Sequence, residues 1–204
     1  MYNRDGYIVA DIDYRDTIIA TAIPLFAKKG LNGVSVRELA REAGVNLSMI
    51  SYYFGGKEGL YAAVLKQQFA ILDKLDDIVQ QDVDTLQKFE LYVRAIVSRY
   101  RKNPYLLRFY TSELTNPTAS FETIIKPAIK RVVQMLIDTF SDGLAHKKFR
   151  DGLNPDDTVL SLAGMINFYF IIEPATAELV DHSPARDEEL ICHIMDIFTR
   201  GILK

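Results

Sequence analysis

The chain has 204 residues, 49% of them hydrophobic and 25% charged, which is the balance of an ordinary globular protein. A net charge of −3 at pH 7 excludes wholesale electrostatic attraction to nucleic acid or to an anionic membrane. The charge is uneven, however: residues 14–66 hold seven Lys/Arg against four Asp/Glu, whereas residues 67–204 hold 16 against 20. A single cysteine, Cys192, leaves no internal disulfide and suits a reducing compartment. Residues 1–13 carry acids and no apolar run of the kind a signal peptide needs. The longest apolar stretch, around 164–172, is interrupted by Asn167 and is expected to be too short to span a bilayer. These features point to a cytoplasmic protein with no membrane partner.

The apolar residues recur at helical spacing throughout, and no segment alternates as a strand would, so the expectation is an all-α fold of about nine helices. The first spans roughly 14–29, with Ile18, Ala22, Leu25 and Phe26 on one stripe, a kink expected at Pro24, and Gly30 as its stop. The second opens at Ser35-Val36-Arg37-Glu38, a capping box in which the Ser35 hydroxyl accepts from the Glu38 N–H and the Glu38 side chain returns to Ser35. Val36, Leu39, Ala40 and Ala43 form its inner stripe, and Gly44 ends it. Asn46 can cap a short third helix that stops at Gly55-Gly56, after which a long helix is expected from Lys57 to about Gln80. Further helices are expected near 84–102, 104–115, 120–148, 155–174 and 186–203, separated by Asn-Pro pairs and single prolines.

Two short helices joined at Gly44-Val45-Asn46 are a helix-turn-helix signal, with Leu39, Ala40, Val45 and Ile50 holding them together. Asn46, Leu47, Ser48, Met49, Ser51 and Tyr52 then face outward on the second helix of the pair. Small polar and apolar side chains there suit base edges and thymine methyls in a major groove, and hydroxyls can donate to phosphates. The break at Gly55-Gly56 sets the N-terminus of the next helix, with Lys57, beside that surface, where free amides and the helix dipole favour a phosphate. The start of the second helix is another such end, so two helix termini can clamp the backbone on either side of one groove.

Residues 16–65 resemble the DNA-binding domain of the TetR family of bacterial transcription regulators. The likeness rests on LFAKKG, SVRELAREAGV and YYFGGKEGLYAAVL in the family's order and spacing. It implies a three-helix DNA-binding head over 1–56 and a ligand-binding and dimerising helical body over 57–204. By position it implies DNA contacts at Ser35, Val36 and Arg37, at Asn46, Leu47, Ser48, Met49, Ser51, Tyr52 and Tyr53, and at Lys57. It further implies a homodimer formed by the last two helices, a palindromic double-stranded operator, and repression relieved by a small-molecule effector. The family often has tyrosine where this chain has Ser51 and a polar or basic residue where it has Leu47. Few basic residues near the N-terminus (Arg4 and Arg15) argue against a strong minor-groove arm.

In the body no nucleophile–base pair, phosphate loop or paired-carboxylate motif occurs, and no cofactor or metal is expected. His193, Glu189 and Cys192 come nearest to a cluster, but their spacing suits a solvated pair on one helix face. The abundance of tyrosine and phenylalanine fits either a plain core or a bundle that keeps a ligand cavity. Tyr92, Arg108, Phe109, Tyr110, Glu113, Asn167 and Phe170 are the candidate lining residues; for Asn167 a register-fixing place in the dimer interface is the competing expectation. Two other readings stay open: a helical scaffold protein that meets a partner through Leu47 and Met49, and a small helical enzyme using the aromatic cavity.

Overall fold

The structure, a computed structural model, describes residues 14–75 and 81–204. Nine α-helices are formed among the described residues: α1 (Tyr14–Lys29), α2 (Val36–Ala43), α3 (Leu47–Phe54), α4 (Lys57–Phe69), α5 (Thr85–Lys102), α6 (Leu106–Thr115), α7 (Lys126–Ala145), α8 (Pro155–Thr176) and α9 (Asp187–Ile202). Helix α1 continues through Pro24. Helix α4 stops sooner than expected: at Ala70 the chain tightens into a 3-10 turn, Ala70–Leu75, and the expected remainder to Gln80 lies outside the described residues. Arg4 lies outside them too. A π-helical turn, Phe121–Ile125, leads into α7, so the segment expected to run from 120 changes its winding just before Pro127.

Two hydrophobic cores organise these helices. One joins Ile18, Phe26, Leu39 and Ile50 of the N-terminal helices to Leu60, Tyr61 and Val64 of α4, and continues through Leu106 and Phe109 of α6 to Ile125. The other gathers Phe89, Val93 and Val97 of α5 with Leu136 and Phe140 of α7, Leu162 and Ile166 of α8, and Ile194 and Phe198 of α9. Helix α4 therefore does more than link: its buried face completes the first core and carries the N-terminal helices on the body.

Helix α8 corrects one expectation. At 22 residues, it is long and apolar enough by length and composition to cross a bilayer, which the 164–172 stretch considered alone did not suggest. Val159, Leu162, Ile166 and Phe170 form its inner face and belong to the second core. Leu160, Phe168 and Ile171 lie on its outer face, with Phe168 62% exposed.

Candidate nucleic-acid interface and the body cavity

Local signals build the head. Ser35 Oγ accepts from the Glu38 N–H at 3.1 Å, and Asn46 Oδ1 accepts from the Ser48 N–H at 3.2 Å, so α2 and α3 both start on side-chain caps. The capping box is only half formed. The Glu38 carboxylate turns away to the Lys29 ammonium at 2.6 Å, and hydrogen bonding to Lys29 holds its pKa below the usual carboxylate value. A full charge nine residues away is a stronger partner for it than the neutral Ser35 N–H.

Gly44 has φ 64°, Gly55 φ 73° and Gly56 φ 130°, backbone that a side chain would strain, and these turns set the helices at their angles. Gly59 contributes in another way that the sequence reading missed. A Cβ there would lie 1.8 Å from the Phe54 carbonyl oxygen, so only glycine lets the first turn of α4 pack against the end of α3. The start of α4 carries no side-chain cap, which leaves its first amides free beside Lys57.

The outer face of α3 is solvent-facing. Asn46, Leu47, Ser48, Ser51, Tyr52 and Tyr53 are exposed, Tyr52 to 82%. Tyr52 and Tyr53 meet edge to face at 5.0 Å. Ser35 and Arg37 are exposed at the start of α2. Met49 is the exception on α3: it is half buried against the first core rather than outward, because residue 49 lies next to the inward stripe of Ile50. Val36 is likewise half buried on that core. Lys57 is partly covered.

In the body, a cavity of about 70 Å³ lies at the seam between the two cores. Tyr92, Ile96, Arg99 and Tyr100 of α5 line it, with Leu106 and Tyr110 of α6 one turn apart, and Asn167 of α8 opposite. The Tyr100 hydroxyl donates to Asn167 Oδ1 at 2.6 Å, so Asn167 points inward rather than to a subunit interface. Three of the seven candidate residues thus meet here: Tyr92, Tyr110 and Asn167. The other four lie elsewhere: α6 gives the cavity Leu106 and Tyr110 and turns Arg108, Phe109 and Glu113 away, and Phe170 of α8 is not among the lining residues. Phe109 is core, 1% exposed, and Glu113 on the same face is fully buried against α4. Arg108 and Phe170 line a separate groove with Leu107 and Glu173. Arg99, the charged residue of the lining, and Tyr100 were not among the candidates.

The His193 cluster does not assemble: Glu189 accepts from Arg186 Nε at 3.0 Å, and Cys192 Sγ lies 4.0 Å from Glu188. No group of three metal-ligating side chains forms among the described residues.

The sequence pattern described as "Bacterial regulatory proteins, tetR family" matches residues 18–64, which are these capped helices, their glycine breaks and most of α4. This N-terminal segment resembles the TetR family. The chain is 30% identical over 133 residues to a Bacillus subtilis protein described as "Probable HTH-type transcriptional regulator YttP", a match covering 62% of this chain and 64% of that protein. It is 27% identical to "HTH-type transcriptional repressor NicS" of Pseudomonas putida, over 76% of this chain and 74% of that one. In fold it is similar to the transcriptional regulator FadR from Bacillus subtilis in complex with stearoyl-CoA. The TM-score is 0.73 at 18% identity, covering 91% of this chain and 98% of that chain. These relatives are transcription regulators and not enzymes.

A buried polar group ties the head to the body. The Tyr61 hydroxyl of α4 donates to Glu113 Oε1 of α6 at 2.7 Å. Glu113 also accepts from the Thr118 amide at 3.2 Å and from its hydroxyl at 3.0 Å. On its other side the Tyr61 ring meets Phe26 of α1 edge to face at 5.0 Å, so one side chain touches the head, the linking helix and the body.

Proposed function

We propose that the protein is a ligand-responsive transcription regulator that reads a palindromic operator as a homodimer and represses until a small molecule enters the body. The observation that carries this reading is the outer face of α3. Leu47 at 42% and Tyr52 at 82% exposure belong to neither core, and the starts of α2 and α4 can receive phosphates beside them. Asn46, Ser48 and Ser51 would address base edges; Tyr52, Tyr53, Ser35, Arg37 and Lys57 would hold the backbone. The net positive charge of residues 14–66 on an otherwise acidic chain supports this.

The outer faces of α8 and α9, with Leu160, Phe168, Ile171 and Ile197 exposed, suit a second copy of the chain. A dimer presents two heads to successive major grooves about 34–36 Å apart. An effector in the body cavity acts only through its preference for one spacing of the heads over another. A DNA partner places the protein in the cytoplasm.

The test is selection of random duplex DNA by the purified protein at physiological salt, followed by sequencing of the bound pool. An enriched palindrome is the expected result. No enrichment by a folded, dimeric sample would overturn the reading in favour of a scaffold role for the head.

A further inference from the structure

The cavity between the two cores holds a charge that nothing answers. Arg99 is 9% exposed, and its Nε and Nη1 atoms are buried with no hydrogen-bond partner among the described residues. Arg101, two positions along the same helix, also buries one nitrogen, Nη2, without a hydrogen bond, but its charge is answered: Nε donates to Asp187 Oδ1 at 2.9 Å, Glu173 lies 3.8 Å away and the guanidinium stands 4.8 Å over the Phe170 ring. No Asp or Glu lines the cavity. Burial outweighs the opposing pull of the neighbouring Tyr100 and pushes the Arg99 pKa below the ordinary guanidinium value. A fold that buries a cation without an acceptor gives up stability, and an anion supplied from outside recovers it.

The rest of the cavity says what kind of anion. Beside Arg99 stand the phenols of Tyr92, Tyr100 and Tyr110 and the Asn167 amide, all neutral groups that can donate or accept a hydrogen bond. Beyond them the wall is apolar, with Phe69, Leu72, Ile129 and Val132. We propose that this cavity binds a small organic acid, an apolar body bearing one carboxylate that pairs with Arg99. The proposal names the effector class for the regulatory site described above and rests on that reading.

The chemistry separates an acid from its neutral relatives. A carboxylate accepts two parallel N–H bonds from a guanidinium fork, whereas an alcohol of the same shape leaves the buried cation uncompensated. One cation answers one negative charge, so a dianion would bring an excess that these neutral neighbours do not offset. The site is also placed to act. At about 70 Å³ the cavity is smaller than the ~300–1,000 Å³ of ordinary ligand pockets, so the apolar body has to part the helices around it. Arg99 sits one turn before Asn103, whose Nδ2 donates to Gln68 Oε1 of α4 at 2.6 Å. Movement of that end of α5 is thereby carried to the helix that holds the head.

Calorimetric titration of the full chain tests this with octanoate and benzoate, each against its uncharged counterpart, octan-1-ol and benzyl alcohol. At least one acid is expected to bind ten times or more tightly than its alcohol. Arg99→Met is expected to abolish that preference while leaving alcohol affinity within about twofold and the ligand-free Tm no lower. Arg99→Gln serves the same purpose should the methionine variant not fold. No preference for either acid in the wild type, or a preference that survives loss of the guanidinium, overturns the proposal. DNA binding is measured alongside. Acid preference without any effect on DNA supports the acid site and removes its regulatory role. DNA binding with no acid preference removes the acid site and leaves the regulator.

Discussion

Tyr61→Phe is the sharpest test of how head and body are joined. The substitution keeps the ring, its edge-to-face contact with Phe26 at 5.0 Å and its burial at 2% exposure, and removes only the hydroxyl. What is lost is one hydrogen bond of 2.7 Å to the fully buried Glu113 carboxylate. A hydrogen bond to a charged group contributes roughly 1.5–3 kcal/mol, and a buried carboxylate stripped of one donor sits at the upper part of that range. Glu113 keeps both Thr118 donors, at 3.2 and 3.0 Å, which caps the loss. At about 2–4 °C of Tm per kcal/mol for a chain of this size, Tyr61→Phe should lower Tm by roughly 3–12 °C. Denaturant unfolding at a fixed protein concentration should give the same loss with an unchanged m-value. Paired with Glu113→Gln in a double-mutant cycle, it should show coupling of about 1 kcal/mol or more. A change below about 0.5 kcal/mol, the size of ordinary surface effects, with additive behaviour in the cycle, would refute the argument.

Burial pushes the phenols of Tyr61, Tyr92 and Tyr100 well above their ordinary value. In the unfolded chain they ionise near pH 10 while the folded ones keep their protons. Their contribution is therefore complete below about pH 10 and is lost as pH rises from there towards the folded values, at ~1.4 kcal/mol per pH unit for each phenol. Unfolding measured at pH 9, 10 and 11 should show this decline, and Tyr92→Phe should make it shallower; a flat profile counts against the burial assigned to these rings. Gly143→Ala would set a Cβ 2.2 Å from the Phe149 ring, which is itself stacked on Phe140 at 4.7 Å. It should lower stability by about 1–3 kcal/mol in denaturant unfolding, and a neutral result would mean that α7 and Phe149 are not so closely packed. Phe168→Asp, at a site 62% exposed on α8, should shift sedimentation from dimer to monomer without loss of helicity; an unchanged dimer would move the interface elsewhere.

Much of the head was legible because its signals are local. Ser35 and Asn46 cap the helices they precede, and Gly44 and Gly55 take the positive φ that a sharp turn needs. What escaped depends on partners distant in sequence. Glu38 looks like half of a capping box until Lys29, nine residues back, takes its carboxylate. Glu113 reads as a polar cavity residue until Tyr61, 52 residues away, is packed over it. Gly59 matters through the Phe54 carbonyl it approaches, a packing fact with no trace in spacing. Arg99 did leave a signal. It shares a helix face with Tyr92 and Ile96, so a cation stood on an apolar stripe, yet at the end of a helix it reads first as a charge answering the dipole.

The central claim is that α3 and the start of α4 form one DNA-reading surface. It is tested most directly by fluorescence anisotropy with the duplex recovered from selection, at several salt concentrations. Wild type and the Tyr52→Ala, Lys57→Ala double variant are compared under the same conditions. Wild-type affinity should fall steeply with salt, and the double variant should lose sequence-selective binding with its Tm unchanged, since Tyr52 is 82% exposed and supports no core. A double variant that binds the same duplex with wild-type affinity and salt slope would contradict the account.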